Sequence, residues 1–211
     1  MLTLDVPERR NALSIALRDE IADRLDDLAN DTELKALIVA AAGPVFSAGF
    51  DLGEFRRAAD DAAFSTRLWA SSDRYHRAVA SFPVFTVAAV SGPAIAGGFD
   101  LAVLCDLRVA ATTAYFEHPE HAFGDVVYGP LHDLVGGGLA RDIAFTGRRV
   151  DADEARRIGL VSAVVEPDQV LATALELAEK VATPPRDVVV RMKHKAVRRS
   201  RLGGDATTLD L

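Results

Sequence analysis

Ser91-Gly-Pro-Ala-Ile-Ala-Gly-Gly-Phe-Asp-Leu-Ala-Val-Leu-Cys-Asp-Leu-Arg-Val-Ala-Ala111 is the stretch whose reading decides the fold. It follows a continuous apolar run at 84–90, the pattern of a strand buried on both faces. Ser91-Gly92-Pro93 turns the chain. Gly97-Gly98 then precede the apolar run 99–105, read as a helix, and residues 107–111 and 114–116 read as short strands. Buried strand, glycine turn, helix and strand in succession argue a layered α/β fold with largely parallel pairing.

The same alternation extends in both directions. Upstream, Leu17, Ile21, Leu25 and Leu28 recur at helical spacing and predict an amphipathic helix over 14–30. Its polar face carries Arg18, Asp19, Asp23, Arg24 and Asp27. Residues 34–41 are apolar apart from Lys35 and read as another buried strand. Gly43-Pro44 and the segment 45–52 follow. Residues 54–81 read as mainly helical, ended at Phe82-Pro83 because proline lacks an N–H and restricts the residue before it. Downstream, helices resume near 134–145. Asp151-Ala-Asp-Glu154 resembles a capping box that starts a short helix, which Gly159 stops. A strand at 160–165 and helices at 170–181 and 187–197 complete the pattern. Residues 1–165 read as an α/β core and 166–211 as a shortened C-terminal helical region.

Composition narrows the functional classes. The 211 residues are 49% hydrophobic, enough to bury a sizeable core. A net charge of −7 disfavours nucleic acid as a partner. The basic run 186–201 reads first as the solvated face of a helix, with a contact to an anionic ligand or a partner subunit as the alternative. Met1-Leu-Thr-Leu-Asp5 lacks the features of a signal peptide, and no apolar run is long enough to cross a bilayer. A cytoplasmic protein without a membrane partner is expected. The one cysteine, Cys105, lies in an apolar stretch with no histidine nearby in sequence and reads as a buried structural thiol.

Two glycine-containing segments each follow a predicted buried strand: Phe46-Ser-Ala-Gly-Phe-Asp-Leu52 and Gly92-Pro-Ala-Ile-Ala-Gly-Gly-Phe-Asp-Leu101. Glycines at strand ends let backbone N–H groups face the crevice where α/β folds bind ligands. Two such groups converging on one oxygen would form an oxyanion hole. Two plain tight turns are the competing reading. Neither segment is a Walker loop or a dinucleotide fingerprint, and Gly136-Gly-Gly138 fails both patterns as well. Ser47 lies outside any GxSxG elbow, and no His/Cys/Asp group has zinc spacing, so no metal is expected.

Taken in order, the segments resemble one family, the enoyl-CoA hydratases and isomerases of the crotonase superfamily. Pro7-Glu-Arg-Arg-Asn-Ala-Leu13 is similar to its opening P-x-x-x-N-A-L, and Phe46–Leu52 to its F-C-A-G-A-D-L. Ser91–Ala111 is similar to N-G-P-A-x-G-G-G-x-E-L-A-x-x-C-D-x-R-x-A, with Pro119-Glu120 at the usual interval. Phe145-Thr-Gly147 through Leu160-Val161 is similar to L-T-G-x-x-x-x-A-x-E-A-x-x-x-G-L-V. The resemblance implies a spiral of repeated β-β-α units assembled as homotrimers or hexamers. It also implies a coenzyme A thioester as substrate, with no separate cofactor. The N–H groups of Phe50 and Gly97 would bind the thioester oxygen. Arg10, Ala12, Ala48, Asp51, Leu52, Gly98 and Tyr128 would line the CoA and substrate site. Asp100 and Glu120 would be the catalytic acids.

The chemistry that the resemblance implies has a physical logic. Adding water to an enoyl thioester, or moving a proton along its acyl chain, builds negative charge on the thioester oxygen, which fixed N–H donors stabilise. Carboxyl groups beside the acyl chain then move protons. Burial would raise the pKa of such a group, and a second carboxylate would raise it further. Asp100 could instead stabilise the start of its helix, and Glu120 could be a surface carboxylate. This chain departs from the pattern in three places. Asp100 stands where hydratases usually have Glu, and its carboxyl reaches roughly 1.5 Å less. Dienoyl-CoA isomerases share that Asp, but their further Asp is Tyr128 here, where a tyrosine narrows a pocket or offers a hydroxyl. The ends are shorter than usual, the C-terminal region stopping soon after Gly203-Gly204. His118, His121 and His132 lie near these positions and read as solvated or structural, though any could titrate near neutral pH. Three functions are therefore weighed: a hydratase-like lyase using both acids, an isomerase using Glu120 alone, and a silent acyl-CoA-binding scaffold.

Overall fold

The computed structural model describes residues 1–122, 124–200, 207, 208 and 211. Five strands form the main sheet: β1 (Leu2–Leu4), β2 (Ala36–Ala41), β3 (Phe85–Val90), β5 (Leu107–Ala111) and β8 (Ala163–Val165). They lie in the order β1-β2-β3-β5-β8, every neighbour parallel. A smaller sheet holds β4 (Ala94–Ile95), β6 (Tyr115–Glu117) and β7 (Val150–Asp151), with β4 parallel and β7 antiparallel to β6.

The repeating unit is a main-sheet strand, a short extended piece in the second layer, then a helix. Thus β3 leads through β4 into α4 (Gly97–Leu104), and β5 leads through β6 towards α5 (Gly129–Val135) and α6 (Gly137–Thr146). The earlier units shrink their second piece to single bridges, Leu13 to Phe50 and Ser47 to Ala94. After those bridges come α1 (Ile15–Ala29) in the first unit, and α2 (Leu52–Asp60) with α3 (Ala62–Ala80) in the second. This is the β-β-α spiral that the resemblance implied. It stacks every second-layer piece along one line, which is why the two glycine segments meet.

The core sits between the main sheet and the helices. Val87, Ala88, Val109 and Ala110 are fully enclosed, and Phe46, Phe82, Phe99 and Phe116 are among the largest buried side chains. Each such aromatic contributes roughly 1.5–3 kcal/mol by leaving water. Helix α8 (Val170–Val181) packs on β2, β3 and β5. The short helix α7 (Ala152–Arg157) begins at the expected cap, the Asp151 carboxylate accepting from the Glu154 N–H at 2.8 Å.

Several local expectations change. The 54–81 helix is two, broken at Asp61, whose carboxylate caps α3 by accepting from the Phe64 N–H at 2.9 Å. Arg18, placed on the polar face of α1, is fully buried. Its guanidinium donates to the carbonyls of Leu13 (2.7 Å) and Leu68 (3.4 Å) and to Ser71 Oγ (3.4 Å), so its burial leaves donors satisfied. The basic run forms α9 (Arg186–Ser200), but it is not wholly solvated. Lys193 is 2% exposed, and its ammonium donates to both oxygens of Asp106 at 2.8 and 2.7 Å. Arg191, His194, Lys195, Arg198 and Arg199 line an open groove on the other side. Arg201 and Gly203-Gly204 lie outside the described residues. Among those described, no helix is long and apolar enough to cross a membrane.

Candidate active site

Asn11 organises the first wall of the site. It is buried, with φ 51°, and its amide donates to the carbonyls of Ala42 and Val45 while its Oδ1 accepts from the Val6 N–H, each at 2.9 Å. That side chain holds residues 9–13 against 45–50. The Ala48 N–H donates to the Arg10 carbonyl at 3.0 Å and the Leu13 N–H to the Gly49 carbonyl at 2.8 Å. Arg10, Ala12 and Ala48, expected to share a binding surface, are thereby brought together. Leu52 is exposed at the start of α2. The Asp51 carboxylate has a structural duty: it caps α2 by accepting from the Gly53 and Glu54 N–H groups at 2.7 and 3.3 Å, and pairs with Arg9.

The second glycine segment lies directly against this wall. The Ile95 N–H donates to the Ser47 carbonyl at 3.0 Å. A Cβ on Gly98 would sit 2.4 Å from that carbonyl oxygen, so only glycine lets the backbones approach this closely. Gly49, at φ 82°, faces Ala96 and Gly97 in the same manner. Phe50 lays its ring over Gly97, where an added Cβ would be 2.6 Å from Phe50 Cδ1. Phe50 and Gly97, the expected oxyanion donors, are therefore neighbours. Among the described residues, no protein acceptor takes either N–H, as expected of the first turn of a helix for Gly97. Ala96 has φ 52° and ψ −128°, an unfavourable conformation for a residue with a Cβ, and it occupies a position where the family pattern has glycine.

Asp100 lies one turn into α4 and is 7% exposed. Burial pushes its carboxyl up to about 7, with nearby Glu120 adding to the rise, while His118 and a hydrogen bond from the Val127 N–H oppose it. Glu120 arrives from the other side, on the turn after β6. Between them stands His118, buried, with Nδ1 2.8 Å from Glu120 Oε1 and 3.9 Å from Asp100 Oδ1. Burial pulls the His118 imidazolium down, but its bond to Glu120 and the two carboxyl charges outweigh that, and its pKa is raised. Asp100 Oδ1, Glu120 Oε2 and His118 Nε2 are buried without a protein partner among the described residues. One donor atom from each of the three residues lies within 4.8 Å of the others, a grouping that could also hold a metal ion. Sequence spacing predicted no such grouping, because the fold, not the local chain, brings α4 to the turn after β6.

Tyr128 is half-buried and directly follows Val127, whose N–H reaches the Asp100 carboxyl. Its ring stacks on Phe145, with centroids 6.0 Å apart, and tilts against His132 at 5.8 Å. Sequence reading treated the three nearby histidines alike. His121 and His132 are exposed, and His118 alone among them enters the acid cluster. His76 was missed as well: it is buried, with its pKa lowered to about 3 by burial, and its ring stacks at 5.9 Å from Phe50. Neither histidine carried a motif in the sequence that could have singled it out.

The enoyl-CoA hydratase/isomerase family model matches residues 1–209. A short-chain-enoyl-CoA hydratase of Clostridium acetobutylicum is 33% identical over 94% of this chain and 77% of its own. A solved enoyl-CoA hydratase of Mycobacterium marinum superposes with a TM-score of 0.81 at 30% identity, covering 93% of this chain and 94% of that one. A solved monofunctional enoyl-CoA isomerase of M. smegmatis superposes with a TM-score of 0.77 at 31% identity, covering 97% and 88%. With its spiral of β-β-α units, its paired glycine turns and these matches, the chain belongs to the enoyl-CoA hydratase/isomerase family.

Proposed function

We propose that the chain is an enoyl-CoA hydratase-like lyase acting on acyl-CoA thioesters through a stabilised enolate. The observation that carries this reading is the meeting of Asp100 and Glu120 around His118, one helical turn from the free N–H of Gly97. The thioester oxygen accepts from the Phe50 and Gly97 N–H groups, which take up charge as it forms. A water held between the carboxyls adds its oxygen to the β-carbon. One carboxylate accepts the proton that the water loses, and a proton from the carboxyl pair goes to the α-carbon as the double bond is consumed. Asp100, whose pKa near 7 leaves both forms populated at neutral pH, suits either half of that exchange.

A second reading is an isomerase in which Glu120 takes a proton from the α-carbon of a 3-enoyl thioester and returns it to the γ-carbon. It is favoured by the short reach of Asp100, and an isomerase is among the similar solved structures. A panel of 2-enoyl and 3-enoyl CoA thioesters separates the readings by ultraviolet absorbance. Hydration removes the conjugated chromophore, isomerisation of the 3-enoyl substrate creates it, and a silent acyl-CoA-binding scaffold changes neither. Calorimetry with acetyl-CoA tests thioester binding itself; no heat at millimolar ligand would exclude all three. The same reading expects a homotrimer or hexamer. Leu171 and Leu175 of α8 and Met192 of α9 are 40%, 48% and 49% exposed, apolar surface that a second copy would cover. Light scattering of the purified chain tests this, and a monomer at micromolar concentration would contradict it.

A further inference from the structure

We propose that His118 is a positioning residue that aims Glu120 and binds the two acids into one proton-sharing unit; this role rests on the proposed thioester chemistry. The local chain builds the arrangement. β6 ends at Glu117, and Pro119, with its φ locked near the helical value, starts the single turn Pro119–Ala122 that folds Glu120 back over the ring of the residue preceding the proline. The turn is closed by the His121 ring, whose Nδ1 lies 2.9 Å from the His118 carbonyl oxygen. Gly147, at φ 60°, makes room for it: a Cβ there would lie 2.0 Å from His121 Nδ1 and 2.8 Å from the His118 carbonyl oxygen. One face of the His118 ring stacks on Phe99, with 4.4 Å between centroids.

Held in this way, Nδ1–H donates to Glu120 Oε1 at 2.8 Å, and that bond selects which carboxyl oxygen remains. Oε2 is the one left, buried and unpartnered, and it is the atom free to exchange a proton with an acyl carbon or a water. The same Nδ1 is 3.9 Å from Asp100 Oδ1, which is also unpartnered. One ring nitrogen thus faces both carboxyls, bonded to Glu120 and within charge range of Asp100. Facing His118 are Asp100 of α4 and Glu120 of its own turn; Tyr75 of α3 lies within charge range of Asp100. Two carboxyls meeting in a buried site repel when both are ionised, and a cationic imidazole between them lets the pair operate with fewer protons. Asp100 therefore loses its proton at lower pH with His118 present than without it.

Two substitutions and one spectroscopic signal test the role. His118→Phe keeps the stack on Phe99 and removes the donor. His118→Asn keeps a donor near the Nδ1 position and removes the charge. His118→Phe should lower kcat by about 10²-fold, at the low end for a misplaced general acid or base, with KM changed by less than about threefold. His118→Asn should restore most of kcat at high pH, but with the acid limb of its kcat/KM profile moved to higher pH. Independently of turnover, proton NMR of the wild-type enzyme should show a downfield ring N–H resonance that vanishes in His118→Phe and moves upfield in Glu120→Gln, where a neutral amide oxygen replaces the carboxylate as acceptor. Absence of that resonance, an unchanged position of it in Glu120→Gln, or a folded His118→Phe enzyme with wild-type kcat and pH profile would each overturn the positioning role. A wild-type enzyme that shows the resonance but turns over no thioester of the panel would overturn the proposed function, and this role with it.

Discussion

Replacing Asp100 by Asn should stabilise the protein, and the gain should depend on pH. The carboxyl ordinarily titrates at 3.8 and does so at about 7 in the folded chain, with 10% of its side chain exposed. The difference is roughly 3 units, and at about 1.36 kcal/mol per unit it sets a ceiling of about 4 kcal/mol. The direction follows from which state binds the proton. A folded-state pKa above the unfolded one means that the folded chain holds a proton which the unfolded chain has released. This contribution is harmless below the unfolded value, costs more with each pH unit between 3.8 and about 7, and levels off above that. Asn cannot ionise and keeps an oxygen for the Val127 N–H, so it escapes the penalty. Urea unfolding of both proteins at about pH 4.5, 6, 7.5 and 8.5 should show the advantage of Asn growing with pH to a plateau of about 2–4 kcal/mol. An advantage that does not change with pH, or a variant less stable than wild type at the highest pH, would refute the account of a carboxyl whose charge is opposed by burial.

Glu120→Gln should lower kcat by about 10²–10⁴-fold on any active substrate. Steady-state kinetics should show Asp100→Asn falling comparably if water is added and retaining most activity if only a double bond moves; an unimpaired Glu120→Gln enzyme would defeat both readings. Ala96→Gly should relieve the φ 52°, ψ −128° conformation and, after the entropic cost of glycine, raise stability by about 1 kcal/mol without lowering kcat. A lower melting temperature for Ala96→Gly would mean that no strain is stored there. Cys105 is buried, and burial pushes its thiol up to about 12, so a thiol reagent at pH 8 should label it only in denaturant. Rapid labelling of the native protein would contradict that burial.

The middle of the main sheet was legible because 36–41 and 84–90 are nearly continuous apolar runs that need no tertiary information to be recognised, whereas the three-residue edge strand Leu2–Leu4 was too short to register. The cap at Asp151 was equally local. Of the second layer only β6 was legible, because β4 and β7 are two residues each and other links are single bridges, too short for any periodicity to register. Arg18 misled because helical spacing assigns a face by residue type, whereas its burial depends on carbonyls and on Glu54, 3.9 Å away on α2. At the site, Asp100, Glu120, Phe50 and Gly97 came from motif resemblance and fall together in space. His118 escaped because nothing local distinguishes it from His121: one follows β6 and enters the cluster, the other lies exposed on the turn after it.

The central claim is that this fold stabilises a thioester enolate and that Glu120 moves its proton. Incubating the enzyme with a 2-enoyl-CoA thioester in heavy water and reading the α-carbon by NMR tests it most directly. The account predicts deuterium at that carbon with wild type, and loss of incorporation in a Glu120→Gln enzyme that still binds the thioester by calorimetry. A wild-type enzyme that binds the thioester yet places no deuterium there, or a Glu120→Gln enzyme that incorporates it at the wild-type rate, would contradict the account.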